Sequence, residues 1–497
     1  MSDTVRTSRA LDPATAPAPD ARRWEALVFV ALAQLMIVLD TTIVNIALPP
    51  AQADLMMSDG DRGWVITAYA LAFGGLLLFG GSIANLWGFR RTFITGLIGF
   101  AAASVLGGAA VNAPMLFLSR ALQGAFGALL APAALSLLTM LFTDTKERAK
   151  AFGIFGAIGG GGGALGLILG GVLTDYLDWR WTFYVNVPIA AVAAIGAYLV
   201  IREPRHAGSG SRLDLPGVAL STLGLVSLVY GFTRAESDGW GAGTTVSLLA
   251  AAGVLLAAFV VVEARAKAPL LPLRVITDRT RAGTYLSFGL AVVGMFATFL
   301  FLTYYFQIVK GYTLVTAGLA FLPLMATMII GSTQIGGRLM FRVQPRVLMT
   351  LGFLVAALGL LLLTLMEPGS SYLALVLPGE VLTGLGMGTA FMVAMNLATH
   401  GVDPRDAGVA SAMANTAQQV GGAVGTALLN TIAAGATTAY LAAHHGTGTA
   451  QRHLAMVHGY TTAFTWAVAI LAVAALLAAL LIRTPAVGRG VKAAVTG

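Results

Sequence analysis

Apolar and polar residues alternate along this chain in long blocks, not at the close spacing of a soluble fold. Apolar runs of about 20 residues, enough to cross a bilayer as a helix, are separated by short polar segments. Fourteen such runs predict helices near 25–48, 63–83, 92–111, 115–142, 149–174, 182–201, 215–233, 243–263, 282–306, 316–336, 347–366, 372–397, 408–434 and 460–482. The pattern therefore predicts an all-α polytopic membrane protein.

Two polar, proline-containing stretches, 204–211 and 264–281, divide the fourteen runs into groups of six, two and six. Segments of low hydrophobicity such as the first 21 residues cannot bury enough apolar surface to fold. We therefore expect a disordered N-terminus at 1–21, a six-helix bundle at 22–203, a linker with two inserted helices at 204–275, a second six-helix bundle at 276–483 and a tail at 484–497.

The two groups of six runs carry a weak internal repeat. Gly81–Arg90 follows the second run and Gly337–Arg346 follows the tenth, and both place Gly and Arg nine residues apart at an offset of 256. The same offset carries Arg120 close to Glu380, each in the fourth run of its group. Duplicated halves with a site between them are typical of transporters.

Composition narrows the function classes. The chain of 497 residues is 57% hydrophobic and 10% charged, with a mean hydropathy of +0.82, which excludes an ordinary soluble domain. It contains no phosphate-binding loop of the G-x-x-x-x-G-K-[ST] type. It has no cysteine for disulfides or thiolate sites, and no metal-ligand cluster of the usual spacing. We therefore expect no enzyme, no cofactor and no metal, with energy taken from a proton gradient.

The basic charge is distributed by topology. Of the 30 Lys and Arg residues, 24 fall in the terminal segments and the loops on the same side as the termini, and five fall in the alternate loops. This bias predicts cytoplasmic termini in a bacterial inner membrane. A net charge of +8 then gives no reason to expect nucleic acid. The expected partners are the lipid bilayer and a small-molecule substrate, and we expect a monomer.

Three charged residues lie deep inside apolar runs: Asp40, Arg120 and Glu380. A charge at the bilayer centre costs about 2.5–3.5 kcal/mol on insertion scales, so charges that persist there usually line an ion or substrate path. Their positions predict similar depths in the outer half of the membrane. A proton-coupling role is one interpretation, and a structural ion pair of Asp40 with Arg120 that only ties helices together is the other.

Five stretches together resemble the major facilitator superfamily, specifically its fourteen-helix drug:proton antiporter branch. They are Leu39–Pro49, Gly81–Arg91, Arg120–Gly124, Gly162–Gly171 and Trp179–Pro188. The resemblance covers nearly the whole chain and implies two six-helix bundles around a central cavity, with helices seven and eight inserted between them. It also implies alternating access and a first-helix Asp40 that pairs with Arg120.

Two positions depart from the pattern of that family. Asn85 stands where the loop between helices two and three normally carries an acid, so a charge contact across the bundle interface is missing or is supplied elsewhere. Leu167 follows Gly166 where the helix-five antiporter motif normally has proline. The second departure leaves an importer by symport open.

The candidate residues fall into three sets. The proton-coupling set is Asp40, Arg120 and Glu380. The second set has a gating or structural role. Its glycines let helices approach closely, and the resulting interface is either sliding or static. Its members are Gly81, Asn85, Gly88, Arg90, Arg91, Gly162, Gly166, Gly170 and Gly171. The substrate set combines inward polar groups with adaptable apolar side chains: Glu380, Asn45, Gln123, Phe296, Phe299, Tyr304, Met387, Met392, Asn396 and Asn415.

The function expected from these features is proton-coupled efflux of small amphipathic or cationic drugs and toxins. A dedicated exporter of one metabolite or antibiotic is the alternative within transport. A membrane sensor or assembly protein that transports nothing is the alternative from another class.

Overall fold

The computed structural model describes residues 22–57, 64–202, 214–266, 269–340, 342–403, 406–444 and 448–483. The predicted N-terminus at 1–21, the tail at 484–497 and the polar stretch at 204–211 lie outside these residues. Within them the regular structure is entirely helical. The fourteen long helices are α1 (Arg23–Asp54), α2 (Trp64–Trp87), α3 (Phe89–Gly108), α4 (Ala113–Leu141), α5 (Thr145–Tyr176), α6 (Asn186–Val200), α7 (Leu215–Asp238), α8 (Gly243–Glu263), α9 (Arg279–Tyr304), α10 (Leu314–Ala320, Leu322–Ile330 and Gly337–Leu339), α11 (Pro345–Leu363), α12 (Leu377–Thr399), α13 (Ala407–Ala443) and α14 (Thr449–Leu481).

Three of these helices include a π-helical turn. Tyr305–Val309 extends α9, Gly331–Gly336 interrupts α10, and Tyr372–Val376 opens α12. Short helices at Trp181–Tyr184 and Leu273–Thr277 precede α6 and α9. Single π-helical turns inside α-helices are frequent at functional sites, so α10 and α12 are of particular interest.

The predicted number of helices is confirmed. Thirteen of the described helices are long and apolar enough to cross a membrane. The remaining one, α5, has 32 residues, several of whose side chains lie outside what the structure describes. The last two helices differ from the prediction, because α13 continues to Ala443 and α14 begins at Thr449. Hydropathy predicts only the part of a helix that lies in the membrane. Beyond that part, in the last turn of α13, the Tyr440 ring stacks on the His444 ring with centroids 4.1 Å apart.

Polar caps and tight turns end the helices in the short loops. Asn112 accepts a hydrogen bond from the Met115 amide at 2.9 Å and starts α4, and Asp144 caps α5 in the same way. Such caps satisfy amides that have no partner within the helix. Gly88 joins α2 to α3 with a φ of 97°, a conformation that other residues rarely adopt.

Successive helices run in opposite directions, so the loops divide between two faces of the molecule. We call the face that carries the start of α1 and the end of α14 the terminal face. The loops α2–α3, α4–α5, α10–α11 and α12–α13 lie there. We call the other face, which carries the loops α1–α2, α3–α4, α9–α10 and α13–α14, the opposite face.

The same helix pairs pack in the two groups of six. In the first group α2 packs on α4, α3 on α4, α1 on α5, α1 on α6 and α3 on α6. In the second group α10 packs on α12, α11 on α12, α9 on α13, α9 on α14 and α11 on α14. Each pair in one group thus has its counterpart eight helices later. This packing is that of a parallel internal repeat.

The inserted helices α7 and α8 pack on each other, and α7 also packs on α2 and α13. The two groups meet where α2 and α4 contact α13, and where α5 contacts α10 and α12. These six helices, three from each group, define the interface at which the candidate site residues have to be placed.

Candidate functional site

Asp40 of α1 and Arg120 of α4 form a buried ion pair in the first bundle. Arg120 Nη1 donates to Asp40 Oδ2 at 2.6 Å, and the two side chains are 2% and 0% exposed. Removing one member of a buried pair strands an uncompensated charge and typically costs about 3–5 kcal/mol. The pair that the sequence predicted is therefore present and strongly coupled.

Amide side chains complete the environment of the Asp40 carboxylate. Its Oδ1 accepts from Gln123 Nε2 at 2.8 Å and from Asn186 Nδ2 at 2.9 Å. Gln123 also donates to Ser104 Oγ at 2.8 Å and accepts from Arg120 Nη1 at 2.8 Å. Both carboxylate oxygens of Asp40 thus accept hydrogen bonds, as an ionised carboxylate requires.

Arg120 also connects the cluster to α2. Its Nε donates to the Val65 carbonyl at 3.0 Å, and its guanidinium lies 4.5 Å from the centroid of the Tyr69 ring. The cluster therefore takes groups from α1, α2, α3, α4 and α6. A proton bound to Asp40 would remove the negative charge that holds five helices in this arrangement.

Asn186 and Ser104, like Val65 and Tyr69 of α2, were not among the predicted site residues. Asn186 belongs to the quoted stretch Trp179–Pro188, yet 146 positions separate it from Asp40. Ser104 lies in an apolar run with no motif around it. The motif could have indicated Asn186, whereas only the folded bundle places Ser104.

Glu380 lies in the second bundle, on α12, and is fully buried. Its Oε2 lies 3.3 Å from the Tyr372 hydroxyl, and its Oε1 has no hydrogen-bond partner among the described residues. No described Lys or Arg side chain forms an ion pair with it at up to 4.0 Å. Its environment therefore differs sharply from that of Asp40.

The Tyr372 hydroxyl indicates the protonation state of Glu380. That hydroxyl has a single proton and lies 2.8 Å from the Ala320 carbonyl, which can only accept. Once the proton goes to Ala320, the contact with Glu380 Oε2 is a hydrogen bond only if the carboxyl group donates. The arrangement thus fits a neutral Glu380, which also avoids an unpaired buried charge.

Hydrogen bonds between the two bundles close the terminal face. The Gly408 amide donates to Asn85 Oδ1 at 3.1 Å, and Ser136 Oγ lies 3.1 Å from Ser411 Oγ. A side chain at Gly81 would meet the Gly408 carbonyl at 2.6 Å, so α2 and α13 are in backbone contact there.

The other side of the interface is closed by α5. Arg148 Nη2 donates to Thr399 Oγ1 at 2.8 Å, and Ser332 Oγ donates to the Gly153 carbonyl at 2.7 Å. His400 lies beside this contact, where partial burial and then the nearby Arg148 charge lower its pKa. At the terminal face the two bundles are therefore in contact both where α2 and α4 meet α13 and where α5 meets α10 and α12.

The predicted gating residues of the α2–α3 loop divide by location. Asn85 makes a cross-bundle contact, a neutral hydrogen bond in place of the charge contact that the family pattern leads one to expect. Arg90 instead donates from Nη2 to the Tyr198 carbonyl at 2.6 Å, at the end of α6 in its own bundle. Arg91 is exposed. Arg90 thus bonds a helix-end carbonyl and not the opposite bundle.

The predicted glycine face of α5 packs inside the first bundle. Added side chains at Gly162 and Gly170 would meet Val38 at 3.0 Å and Ile43 at 3.3 Å, and Gly166 lies against Thr42, all on α1. The cross-bundle contacts of α5 use Gly153, Gly156 and Gly159 instead. A side chain at Gly171 would meet nothing within 4 Å. The predicted spacing therefore describes the contact of α5 with α1.

The aromatic and methionine candidates have different neighbours. Phe299 lies 5.4 Å from Phe321 of α10, whereas Tyr304 stacks on Tyr460 of α14 at 6.4 Å. Phe296 is 40% exposed and lies against Gly422 of α13. Of the remaining candidates on α12 and α13, Met387, Met392 and Asn396 are buried, and Asn415 donates to the Ser411 carbonyl. The side chains of Asn45 and Leu167 lie outside what the structure describes.

An aromatic side chain that sequence reasoning missed lies at the centre of the interface. Phe391 of α12 lies 5.2 Å from Phe288 of α9 in an edge-on contact. A side chain at Gly159 would meet its ring at 3.3 Å and Gln34 Nε2 at 3.5 Å. No motif surrounds Phe391, so its position between the bundles could not be read from the chain.

At the opposite face, an exposed ion pair offers a contrast with Asp40 and Arg120. Arg180 Nη1 lies 2.7 Å from Asp54 Oδ2, and Trp179 Nε1 donates to the same oxygen at 3.2 Å. The hydrogen bond from Arg180, followed by that from Trp179, lowers the pKa of Asp54.

Two repeated six-helix bundles, two inserted helices and buried ionisable groups in both bundles define a multi-pass membrane protein of the transporter class. The model of the Major Facilitator Superfamily matches residues 30–426. The chain therefore belongs to the major facilitator superfamily.

Curated bacterial relatives share most of the chain. It is 52% identical over 490 residues to the puromycin resistance protein pur8 of Streptomyces alboniger, covering 98% of this chain and 97% of that protein. It is 40% identical to the cephamycin export protein CmcT of Amycolatopsis lactamdurans, covering 85% and 88%. It is 34% identical to the tetracenomycin C resistance and export protein of Streptomyces glaucescens, covering 83% and 76%.

A solved structure has the same fold. The human organic anion transporter MFSD10 (TETRAN) matches with a TM-score of 0.64 at 13% identity, covering 92% of this chain and 99% of that chain. At this identity the likeness concerns the fold alone.

Proposed function

We propose that this protein exports small amphipathic or cationic drugs and toxins across the bacterial inner membrane in exchange for protons. The observation that carries the proposal is the buried Asp40–Arg120 pair, whose partners come from five helices of one bundle. A proton acceptor with that many partners can couple its charge to the arrangement of the whole bundle. The names of the three bacterial relatives support resistance and export.

The orientation follows from the basic charge. The terminal face carries most of the Lys and Arg residues, so we place it, with both termini, in the cytoplasm. The conformation with that face closed is then the one that releases substrate outward. The protein works as a monomer within the bilayer, with the two bundles of 22–203 and 276–483 as its moving bodies.

Asp40 carries the exchanged proton. Deprotonated Asp40 holds Arg120, Gln123 and Asn186 as in this structure, and protonated Asp40 releases the charge attraction so that the bundles rearrange. Proton entry down the membrane potential supplies about 2.3 kcal/mol per 100 mV. Glu380, which carries no paired cation, meets cationic substrate when it loses its own proton.

A second candidate is the dedicated export of one antibiotic. The relatives support it, because each of the three is named for a single compound: puromycin, cephamycin or tetracenomycin C. The two candidates differ in substrate range and share the coupling chemistry.

Transport into inside-out vesicles tests the proposal. With the vesicle interior acid, we expect accumulation of at least one compound from a panel of puromycin, cephamycin and tetracenomycin C, and loss of that accumulation with a protonophore. Uptake of several unrelated compounds supports the multidrug form, and uptake of one supports the dedicated form. Accumulation that survives the protonophore, or none for any compound, contradicts proton-coupled export.

A further inference from the structure

A basic cavity opens on the terminal face of the first bundle, away from the bundle interface. It is an open cleft between the end of α2, the start of α3 and the end of α6, with a volume of about 760 Å³. Trp87, Arg90, Arg91 and Tyr198 contribute to its wall. None of these four contacts the Asp40 cluster or Glu380 in the described structure, so the proposed transport mechanism leaves the cavity unused.

The polar part of the cavity suits a phosphate group. Arg90 donates from Nη2 to the Tyr198 carbonyl at 2.6 Å, which fixes the guanidinium, while its buried Nε has no partner among the described residues. Arg91 is exposed beside it. Both belong to the first turn of α3, where the helix dipole also favours an anion. Two arginines and a helix start therefore face the same opening.

The wall next to the arginines is apolar and uncovered. Ile98 of α3 and Ile195, Tyr198 and Leu199 of α6 are each about 60% exposed. In a bilayer these side chains face lipid chains, and Trp87, which is 55% exposed, has the amphipathic character of residues at the headgroup level. A phosphate group bound at Arg90 and Arg91 would thus have apolar surface directly below it.

We propose that this cavity binds the headgroup of an anionic phospholipid, with the phosphate at the guanidinium groups of Arg90 and Arg91 and the acyl chains along α3 and α6. A free phosphate ion shares the polar chemistry and makes no use of the apolar wall. Basic pockets between transmembrane helices on the cytoplasmic side are suited to such headgroups. The contact would hold the start of α3 against the end of α6.

The internal repeat provides a matched control. At the offset of 256, Arg90 corresponds to Arg346, but Trp87 and Arg91 correspond to Val343 and Val347. Arg346 is exposed in the first turn of α11. The second bundle thus lacks the arginine next to Arg346 and the aromatic side chain, although Arg342 lies in the same loop, and we assign the site to the first bundle alone.

Native mass spectrometry of the full chain in detergent tests the site. The lipids added are phosphatidylglycerol, phosphatidylethanolamine and phosphatidylcholine of identical chains, with inorganic phosphate as competitor. We expect phosphatidylglycerol to bind more tightly than the other two lipids, and we expect inorganic phosphate not to displace it. Each arginine near a membrane surface contributes enough to bind anionic lipid about fivefold more tightly. Arg91→Gln should therefore weaken that adduct about fivefold, and Arg346→Gln should leave it unchanged.

Arg91 is exposed, so its replacement leaves the helix packing intact, and Arg90→Gln adds a second variant with the same expected direction. Equal binding of the three lipids overturns the proposal. So does an equal effect of Arg91→Gln and Arg346→Gln. Displacement by inorganic phosphate at the lipid concentration shows a soluble-anion site and likewise overturns the assignment to lipid.

Discussion

Two carboxyl groups are 0% exposed among the described residues, one in each bundle, and their surroundings are opposite. Asp40 accepts hydrogen bonds from Arg120, Gln123 and Asn186. Among the described residues, Glu380 contacts one hydroxyl group, that of Tyr372, which can donate its proton to the Ala320 carbonyl instead. The other oxygen of Glu380 has no partner among them. Exposure does not separate them, because both are 0% exposed.

The number of donors separates the two groups. A carboxylate with one cation and two amide donors has its negative charge compensated. A buried carboxyl group to which no neighbouring group donates a hydrogen bond avoids the cost of a buried charge by keeping its proton. The same conformation therefore gives the acid of the first bundle a paired cation and the acid of the second bundle none among the described residues, which is why we propose different roles for them.

Loss of the Asp40 charge should have the largest effect. Asp40→Asn removes the titrating group and strands Arg120, so we expect gradient-driven export of every substrate to cease. The free energy of unfolding should fall by about 3–5 kcal/mol. Flux into acid-interior vesicles and urea unfolding in detergent measure the two effects.

The matched control for that variant is Asp40→Asn combined with Arg120→Gln, which removes both charges. We expect the double variant to regain most of the lost stability and none of the export. If the double variant exports at half the wild-type rate or more, the pair has only a structural role in holding the helices together.

Opening of the terminal face should respond to Gly81. A methyl group at this position would meet the Gly408 carbonyl at 2.6 Å, so Gly81→Ala should separate α2 from α13 and depopulate the closed conformation. The chain has no cysteine, so Ser136→Cys with Ser411→Cys reports the closed face by cross-linking. We expect a severalfold lower yield with Gly81→Ala.

Gly171→Ala is the control for that experiment, because its added methyl group would meet nothing within 4 Å. Its cross-linking yield should equal that of the parent. A Gly81→Ala yield equal to that of Gly171→Ala would mean that α2 and α13 do not form the closure described here.

Glu380→Gln should have a smaller and selective effect. Glutamine resembles a neutral carboxyl group and can donate to the Tyr372 hydroxyl, so unfolding should change by less than about 1 kcal/mol. Export of a permanent cation such as tetraphenylphosphonium should fall more than export of a neutral compound. Infrared spectroscopy should show the band of a protonated carboxyl group in wild type and its loss in Glu380→Gln. A band that instead disappears in Asp40→Asn would reverse the assignment of the two acids.

Asp54→Asn should have the smallest effect, since its ion pair with Arg180 is exposed and screened by solvent. Because Arg180 lowers the pKa of Asp54, the contribution of the pair to stability is present at neutral pH and disappears as the pH falls through that lowered pKa. The melting temperature of Asp54→Asn should approach that of wild type in acid. A loss at neutral pH as large as that of Asp40→Asn would show that burial does not set the strength of these pairs.

Most of the fold could be predicted from the chain because lipid imposes a simple rule on sequence. A helix has to be apolar for about 20 residues to cross the membrane, so all fourteen helices are visible as apolar runs. The prediction fails where helices leave the lipid, as at Ala443 and Thr449, because polar residues there also form helix.

The candidate site was predictable only in part. A charge inside an apolar run is conspicuous, so Asp40, Arg120 and Glu380 were identified. Ser104 and Phe391 have no such mark, and only the packing of α3 and α12 brings them to their partners. The glycine spacing of α5 predicts close approach without specifying which of two neighbouring helices approaches.

Proton movement driven by substrate tests the central proposal, exchange through Asp40, most directly. Purified protein is placed in liposomes that enclose a pH-sensitive dye, with no imposed gradient, and a compound that the vesicle assay identified as substrate is added outside. We predict that the liposome interior becomes alkaline as substrate enters, and that Asp40→Asn gives no change. Substrate entry with no pH change, or with acidification of the interior, would contradict proton-coupled export.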